Sequence, residues 1–354
     1  MDKAKSISLK NIFISLFLAC FGFALSLALV EVALQISALS AVDKSWSDRP
    51  KFFYKPVNSN TMQDFQYPEV KPAGAYRITA IGDSFTYATD MQFDDSFVKK
   101  LERILNLGQS SRKVEVINKG VPGNSTRHEV PLVKTAISND SDLVILQVTL
   151  NDPQIKLLTP KGLTKNKNNS FGVYQAGDGL LDSSLLYRFI ASRIHNTKSH
   201  SRYKEYYFSL FNNNLTWLPF KYDIHRIGEL CRTKSEHPKC VAVVFPLFGL
   251  PLDDSYPFKP LHKKVKKQLR KNGIPTLDLF PAFQKIPLER IQVIPDIDFH
   301  PNEIAHRIAA EKLYSWLAQH NYIPEDLHVK DLFTDRTQVY AVHEPRVEIG
   351  TIGK

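Results

Sequence analysis

The spacing of apolar residues changes character several times along this chain. From Asn11 to Val30, "NIFISLFLACFGFALSLALV" carries no charge and almost no polar side chain. About 20 such residues cover the hydrocarbon core of a bilayer. "VEVALQISALSAV" continues the helical pattern beyond it. Residues 42–74 are polar, aromatic and proline-bearing, with no clear period. Short apolar runs and amphipathic stretches then alternate. "YRITAIGDS" (76–84) predicts a strand, "DSFVKKLERILNLG" (95–108) an amphipathic helix ending at a glycine, and "KVEVINKGV" (113–121) a second strand. "HEVPLVKTAISND" (128–140) predicts a helix with Pro131 in its first turn. "DLVILQVTLND" (142–152) is the continuous apolar run of a central parallel strand.

The alternation lapses over 153–220. There "TPKGLTKNKNNSFGVYQAGDG" is loop-like, "SSLLYRFIASRI" helical and "RYKEYYFSLFNNNLTWLPF" aromatic-rich. It resumes with a helix over 221–234, the strand "CVAVVFPLF", a basic helix over 259–272 and the strand "IPTLDLF". The helix "PNEIAHRIAAEKLYSWLAQH" closes the pattern. Five apolar strands separated by helices predict an α/β fold with a parallel sheet covered on both faces. The chain therefore divides into 1–41 (N-terminus and apolar helix), 42–74 (stalk and lead-in) and 75–322 (α/β domain, insertion at 153–220). A polar, aperiodic tail follows at 323–354.

Charge adds an orientation. Lys3, Lys5 and Lys10 precede the apolar helix, so the positive-inside rule keeps the N-terminus cytoplasmic and sends the domain across the membrane. The expectation is a single-pass signal anchor in a bacterial inner membrane with a periplasmic domain. A cleaved signal peptide is the competing reading. The net charge is +10, with a cluster at "KPLHKKVKKQLRKNG" (259–273). Leu261, Val265 and Leu269 recur there at four-residue spacing, so the lysines form the solvated face of an amphipathic helix rather than a nucleic-acid site. Cys231 and Cys240 flank a polar loop. In an oxidising compartment they either bridge or stay free thiols, and no Cys/His spacing matches a zinc site.

Ligands of parallel sheets gather at the carboxyl ends of the strands, and four polar groups fall there. The first strand ends in Gly82-Asp83-Ser84 and the second in "NKGVPGNST", with Gly123. The third ends in "TLND", with Asn151, and the last helix is preceded by "PDIDFHPNE", with His300. A serine needs a base to become a nucleophile. Attack on an ester creates an oxyanion that N–H donors stabilise. A carboxylate beside the histidine fixes its tautomer. Each residue also has a plain reading: Ser84 as a helix N-cap, Gly123 and Asn151 as turn residues, His300 opening the last helix.

"IGDSFTYA", "NKGVPGNST", "TLND" and "DFHPNEIAHRIAAEKL" together resemble the four blocks of the SGNH (GDSL-type) hydrolase superfamily, in order, over 81–313. The resemblance implies a flavodoxin-like three-layer α/β/α fold and acyl-ester hydrolysis or transfer without metal or organic cofactor. By position, Ser84 is the nucleophile and His300 the base, with the Ser84 amide, Gly123 and Asn151 as the oxyanion hole. Two departures stand out. Thr149 replaces the usual glycine of the third block, and Ile297 stands where the usual Asp-x-x-His has its aspartate. Asp298 takes that role, with Asp296 as second choice. Single-anchor relatives imply an acetyl ester of a cell-envelope glycan as substrate and polysaccharide machinery as partner. O-acyl transfer, a decayed glycan-binding module and lipid hydrolysis are the alternatives. Tyr174, Tyr187, Tyr203, Tyr206, Tyr207 and Trp217 either stack on sugars or pack the insertion.

Overall fold

The structure, a computed structural model, describes residues 9–40, 64–108, 110–154, 183–232, 239–295 and 298–329. Helix α1, Leu9–Ser40, precedes the domain, and Lys10–Ile36 is long and apolar enough for a membrane span or a signal sequence. The domain begins with β1, Tyr76–Gly82, followed by the one-turn helix α2, Ser84–Tyr87, and α3, Phe97–Leu105. Strand β2, Val114–Gly120, leads through α4, Thr126–Ser138, to β3, Leu143–Val148. The helical pair α5, Leu185–Asn212, and α6, Asn214–Leu230, precedes β4, Cys240–Val244. After α7, Lys259–Lys271, come β5, Thr276–Asp278, and α8, Phe280–Phe283. The hairpin β6, Gln292–Ile294, and β7, Asp298–Pro301, then feeds α9, Glu303–Gln319.

All five strands of the main sheet run parallel in the order β2-β1-β3-β4-β5. This is the flavodoxin-like order, and its direction reverses at β1, which has β2 on one side and β3 on the other. Connections leaving these two strands diverge and open a crevice at their carboxyl ends. Every residue of β1, β3 and β4 is buried. Such strands carry apolar side chains on both faces, which is why they read as unbroken apolar runs. Helix α3 packs on α9, while α4 packs on α6 and α6 on α7. On α7 the residues Leu261, Val265 and Leu269 face inward.

Three local readings of the sequence change. Helix α4 starts at Thr126 under a Ser125–His128 capping box, which leaves Pro131 in the helix interior rather than its first turn. The helix expected over 221–234 starts at Asn214, where Asn213 accepts a hydrogen bond from Leu215 N–H. The aromatic-rich segment before it belongs to α5: Tyr203, Tyr207, Leu210 and Phe211 are buried, and Trp217 stacks on Phe220. Four of the six candidate sugar-stacking rings therefore pack the core or its edge. Tyr187 is exposed, and Tyr174 lies outside the described residues. Cys231 and Cys240 form a disulfide linking the end of α6 to the start of β4.

Buried charge fastens the lead-in segment. Lys99 on α3 is 2% exposed and donates to Asp64 at 2.7 Å, Tyr67 Oη at 2.6 Å, Glu102 at 2.9 Å and the Val116 carbonyl at 2.6 Å. Arg77 on β1 is equally buried. It pairs with Glu115 at 2.9 Å and donates to the carbonyls of Pro68 and Glu69. Every donor nitrogen of both cations has an acceptor, the condition under which a buried charge is tolerable. Residues 64–72 thus pack on the domain.

The turn after β1 fits only because two neighbouring positions lack side chains. A Cβ on Gly120 would stand 2.2 Å from Tyr87 N, and one on Gly82 would stand 2.3 Å from Gln147 Oε1 and Thr86 Oγ1. Gly120→Ala must therefore push the α2 backbone away from β2. We expect a loss of about 1–3 kcal/mol, seen as a lower urea midpoint at unchanged m-value for the full chain in detergent. An unchanged midpoint would show that this close approach carries no weight.

Candidate active site

The crevice gathers residues from five segments. The turn leaving β1 presents Ser84, partly exposed, at the first position of α2. Asp83 is the N-cap: its Oδ1 accepts from Phe85 N–H at 2.9 Å. Ser84 is therefore not the cap, and its own side chain is left for other work. Two buried amides hold this turn. Gln147, near the carboxyl end of β3, accepts from Asp83 N–H at 3.1 Å and from Thr86 Oγ1 at 2.8 Å through the same oxygen. Asn118 on β2 donates to the Thr86 carbonyl at 2.8 Å and accepts from Gly120 N–H at 2.9 Å. Neither residue was picked out from sequence, although a glutamine inside the apolar run "LVILQV" was a visible signal.

Gly123 lies in the exposed loop after β2 with φ +80°, a backbone conformation that favours glycine. The N–H groups of Ser84 and Gly123 donate to no other described residue. Asn151 follows β3 and is tied by Thr149, whose hydroxyl contacts Asn151 Oδ1 and lies 2.8 Å from Asp83 Oδ2. Asp152 braces the same loop, accepting from Thr149 N–H at 3.1 Å and Thr126 Oγ1 at 3.0 Å. The Thr149 hydroxyl, in the place of the expected glycine, contacts both Asn151 and Asp83, and the Asn151 side chain also hydrogen-bonds Asp83. Asp83, Asp152 and Glu129 are completely buried beneath the site. Burial raises all three carboxyl pKa values, and for Asp152 and Glu129 the repulsion of neighbouring carboxylates adds to it.

His300 lies on β7, not in an irregular loop. Side chains two apart on a strand share a face, so Asp298 and His300 point the same way. His300 Nδ1 lies 2.6 Å from Asp298 Oδ1, and the His300 N–H donates to the same oxygen at 2.9 Å. An Asp-x-His spacing thereby does in a strand what Asp-x-x-His does in a loop. Asp296, the second choice, lies outside the described residues. Burial disfavours the charged imidazolium, but the bond to Asp298 and its charge outweigh this and raise the His300 pKa above its ordinary value. Burial likewise opposes the Asp298 carboxylate, and the same pair lowers its pKa. Asp90 is a further group not foreseen. Its carboxyl hydrogen-bonds Asp298, and burial together with that neighbour raises its pKa.

The His300 ring packs edge-on at 5.7 Å against Phe85, the residue that follows Ser84. No hydrogen bond joins Ser84 Oγ to His300; such bonds commonly close only around a substrate. His306, one and a half turns along in α9, is fully buried and accepts from Phe97 N–H through Nδ1 at 2.9 Å. Burial pushes its pKa down to about 3. It joins α9 to α3 as a neutral packing residue. Ser84, Gly123 and Asn151 thus follow the carboxyl ends of β1, β2 and β3, with the Asp298–His300 pair against Phe85.

The GDSL-like lipase/acylhydrolase family matches residues 80–308. Among solved structures, a lipase/acylhydrolase from Enterococcus faecalis is 18% identical, covering 68% of this chain and 95% of its own, with a TM-score of 0.39. An acetylxylan esterase from Geobacillus stearothermophilus is 12% identical, covering 71% and 96%, with a TM-score of 0.43. No curated protein matches the chain.

The Asp298 contact has a measurable consequence. With labelled histidines in the full chain, His300 is expected to titrate above about 6.5, and Asp298→Asn to move that midpoint down. His306 is expected to stay neutral to about pH 3. A His300 midpoint indifferent to Asp298→Asn would contradict the ion pair.

Proposed function

We propose that this chain, which belongs to the GDSL-like lipase/acylhydrolase family, is an ester hydrolase using Ser84 as nucleophile on acetyl esters of a cell-envelope glycan. The observation that carries this reading is the Asp298–His300 pair packed on Phe85, next in sequence to a serine whose N–H and hydroxyl donate to no other described residue. His300 Nε2 takes the Ser84 proton as Oγ attacks the ester carbonyl. The carbonyl oxygen becomes an oxyanion facing the N–H groups of Ser84 and Gly123 and the Asn151 amide. Removing one such donor costs about 3–4 kcal/mol of barrier lowering. Asp298 steadies the imidazolium formed in this step. The C–O bond then breaks, the alcohol leaves with the proton from His300, and an acyl group remains on Ser84. Water, deprotonated by the same imidazole, releases the acid.

Two features favour a small acyl group. Helix α5 brings Tyr203 against Gly249 and Phe299 beside the site, so the wall there is crowded. Phe85, Phe245 and Phe248 pack around the nucleophile turn. Helix α1 favours action at a membrane with the domain on the periplasmic side, the orientation expected from Lys3, Lys5 and Lys10.

Hydrolysis of p-nitrophenyl acetate, butyrate and octanoate is expected to fall with chain length. Ser84→Ala should lose roughly 10³-fold or more in kcat. Since only neutral His300 accepts a proton, kcat/KM should rise with pH through a midpoint above about 6.5. Asp298→Asn should lower kcat by roughly 10²–10⁴-fold and shift that limb to lower pH. A preference for octanoate would replace the glycan reading with lipid hydrolysis. Acetate passed to an oligosaccharide rather than to water would make the enzyme an O-acyltransferase.

A further inference from the structure

Glu31 is the only acid in α1. An ionisable side chain in so apolar a segment is costly and normally faces a protein partner. Here the partner is the start of α5. Glu31 accepts from Ser184 Oγ at 2.9 Å and from the N–H groups of Leu185 at 3.0 Å and Leu186 at 2.8 Å. Gln35, one turn along α1, donates to the same carboxylate at 2.7 Å. The first N–H groups of a helix have no partner within it and carry partial positive charge. Glu31 therefore caps α5 from a distance of 153 residues in sequence, and α1 and α5 pack together.

From that cap α5 runs 28 residues without a break. Its far half packs against Phe258 and beside Phe299 of β7, the strand that carries His300. Tyr203 and Tyr207 are buried. A Cβ on Gly249 would meet Tyr203 Oη at 2.8 Å and Phe299, the neighbour of His300, at 3.2 Å. Leu185 and Tyr203 are separated by about 27 Å of helix. One continuous helix thus connects the end of the apolar segment to the catalytic crevice.

We propose that Glu31 latches α5 to α1 and that α5 is a strut setting the height of the active site above a membrane, for an ester borne on a lipid-anchored molecule of that membrane. This rests on the ester-hydrolase reading and on α1 being retained as a span. A freely diffusing ester reaches a site at any height, so a fixed height brings it nothing. For a substrate held in the same bilayer, a fixed height concentrates and orients the ester at the nucleophile.

The test uses the full chain in phosphatidylcholine vesicles with two probes. One is soluble p-nitrophenyl acetate. The other is an aryl acetate tethered to phospholipid by spacers shorter than, close to and well beyond the strut length. The wild type is expected to turn over the tethered ester best at the matching spacer. Glu31→Ala should lose that preference and roughly fivefold or more of the tethered rate, with soluble turnover unchanged. Glu31→Gln, which keeps an acceptor oxygen, should retain most of it. A tethered rate equal to wild type in Glu31→Ala overturns the proposal, as does an intact mass lacking α1. If the wild type hydrolyses neither probe, the ester-hydrolase reading fails, and amide exchange at Leu185 and Leu186 decides on the latch. Faster exchange in Glu31→Ala supports it, and equal exchange overturns it.

Discussion

One oxygen of Gln147 holds the nucleophile turn. It accepts from the Asp83 N–H and the Thr86 hydroxyl together, near the carboxyl end of a strand with no exposed residue. The bond joins β3 to the turn leaving β1, and Asn118 makes the matching bond from β2. Three parallel strands therefore fix one turn of backbone, and that turn decides where Ser84 points. The close approach is possible because Gly82 and Gly120 have no Cβ. With Asp83 as the N-cap, the serine is spared the role that most serines at such positions have.

The rest of the site is arranged around that turn by short, local devices. Asp298 and His300 share a face because their segment is a strand. Asn302 anchors the hairpin by donating to the carbonyls of Arg290 and Gln292 while capping α9. Thr149 holds Asn151 and Asp83 through one hydroxyl. Beneath these lie the buried carboxyls of Asp83, Glu129 and Asp152, whose pKa values burial raises. Farther out, the Lys99 and Arg77 clusters anchor the lead-in segment and leave the crevice alone.

The sheet was legible in the sequence because its strands are buried on both faces, which produces apolar runs such as "LVILQV" bounded by Gly, Asn and Asp. The positions of Ser84, Gly123 and Asn151 after the ends of β1, β2 and β3 followed from the same pattern. The hairpin holding His300 was not legible. Its strands are Gln292–Ile294 and Asp298–Pro301, too short to show a period, and so the reach of Asp298 was ambiguous between i−2 and i−4. Gln147, Asn118 and Asp90 were missed because their roles depend on partners 64, 32 and about 200 residues away. The aromatic stretch before Asn213 was ambiguous for a different reason. Rings suited to stacking on sugar are equally suited to packing, and only burial separates the two.

The account stands or falls on whether Ser84 is activated by His300. The most direct measurement is the intact mass of the full chain in detergent after treatment with a fluorophosphonate, beside Ser84→Ala and His300→Ala. The account predicts one adduct on the wild type, none on Ser84→Ala and much slower labelling of His300→Ala. A folded wild type that takes up no adduct, or an adduct that persists in Ser84→Ala, would contradict it.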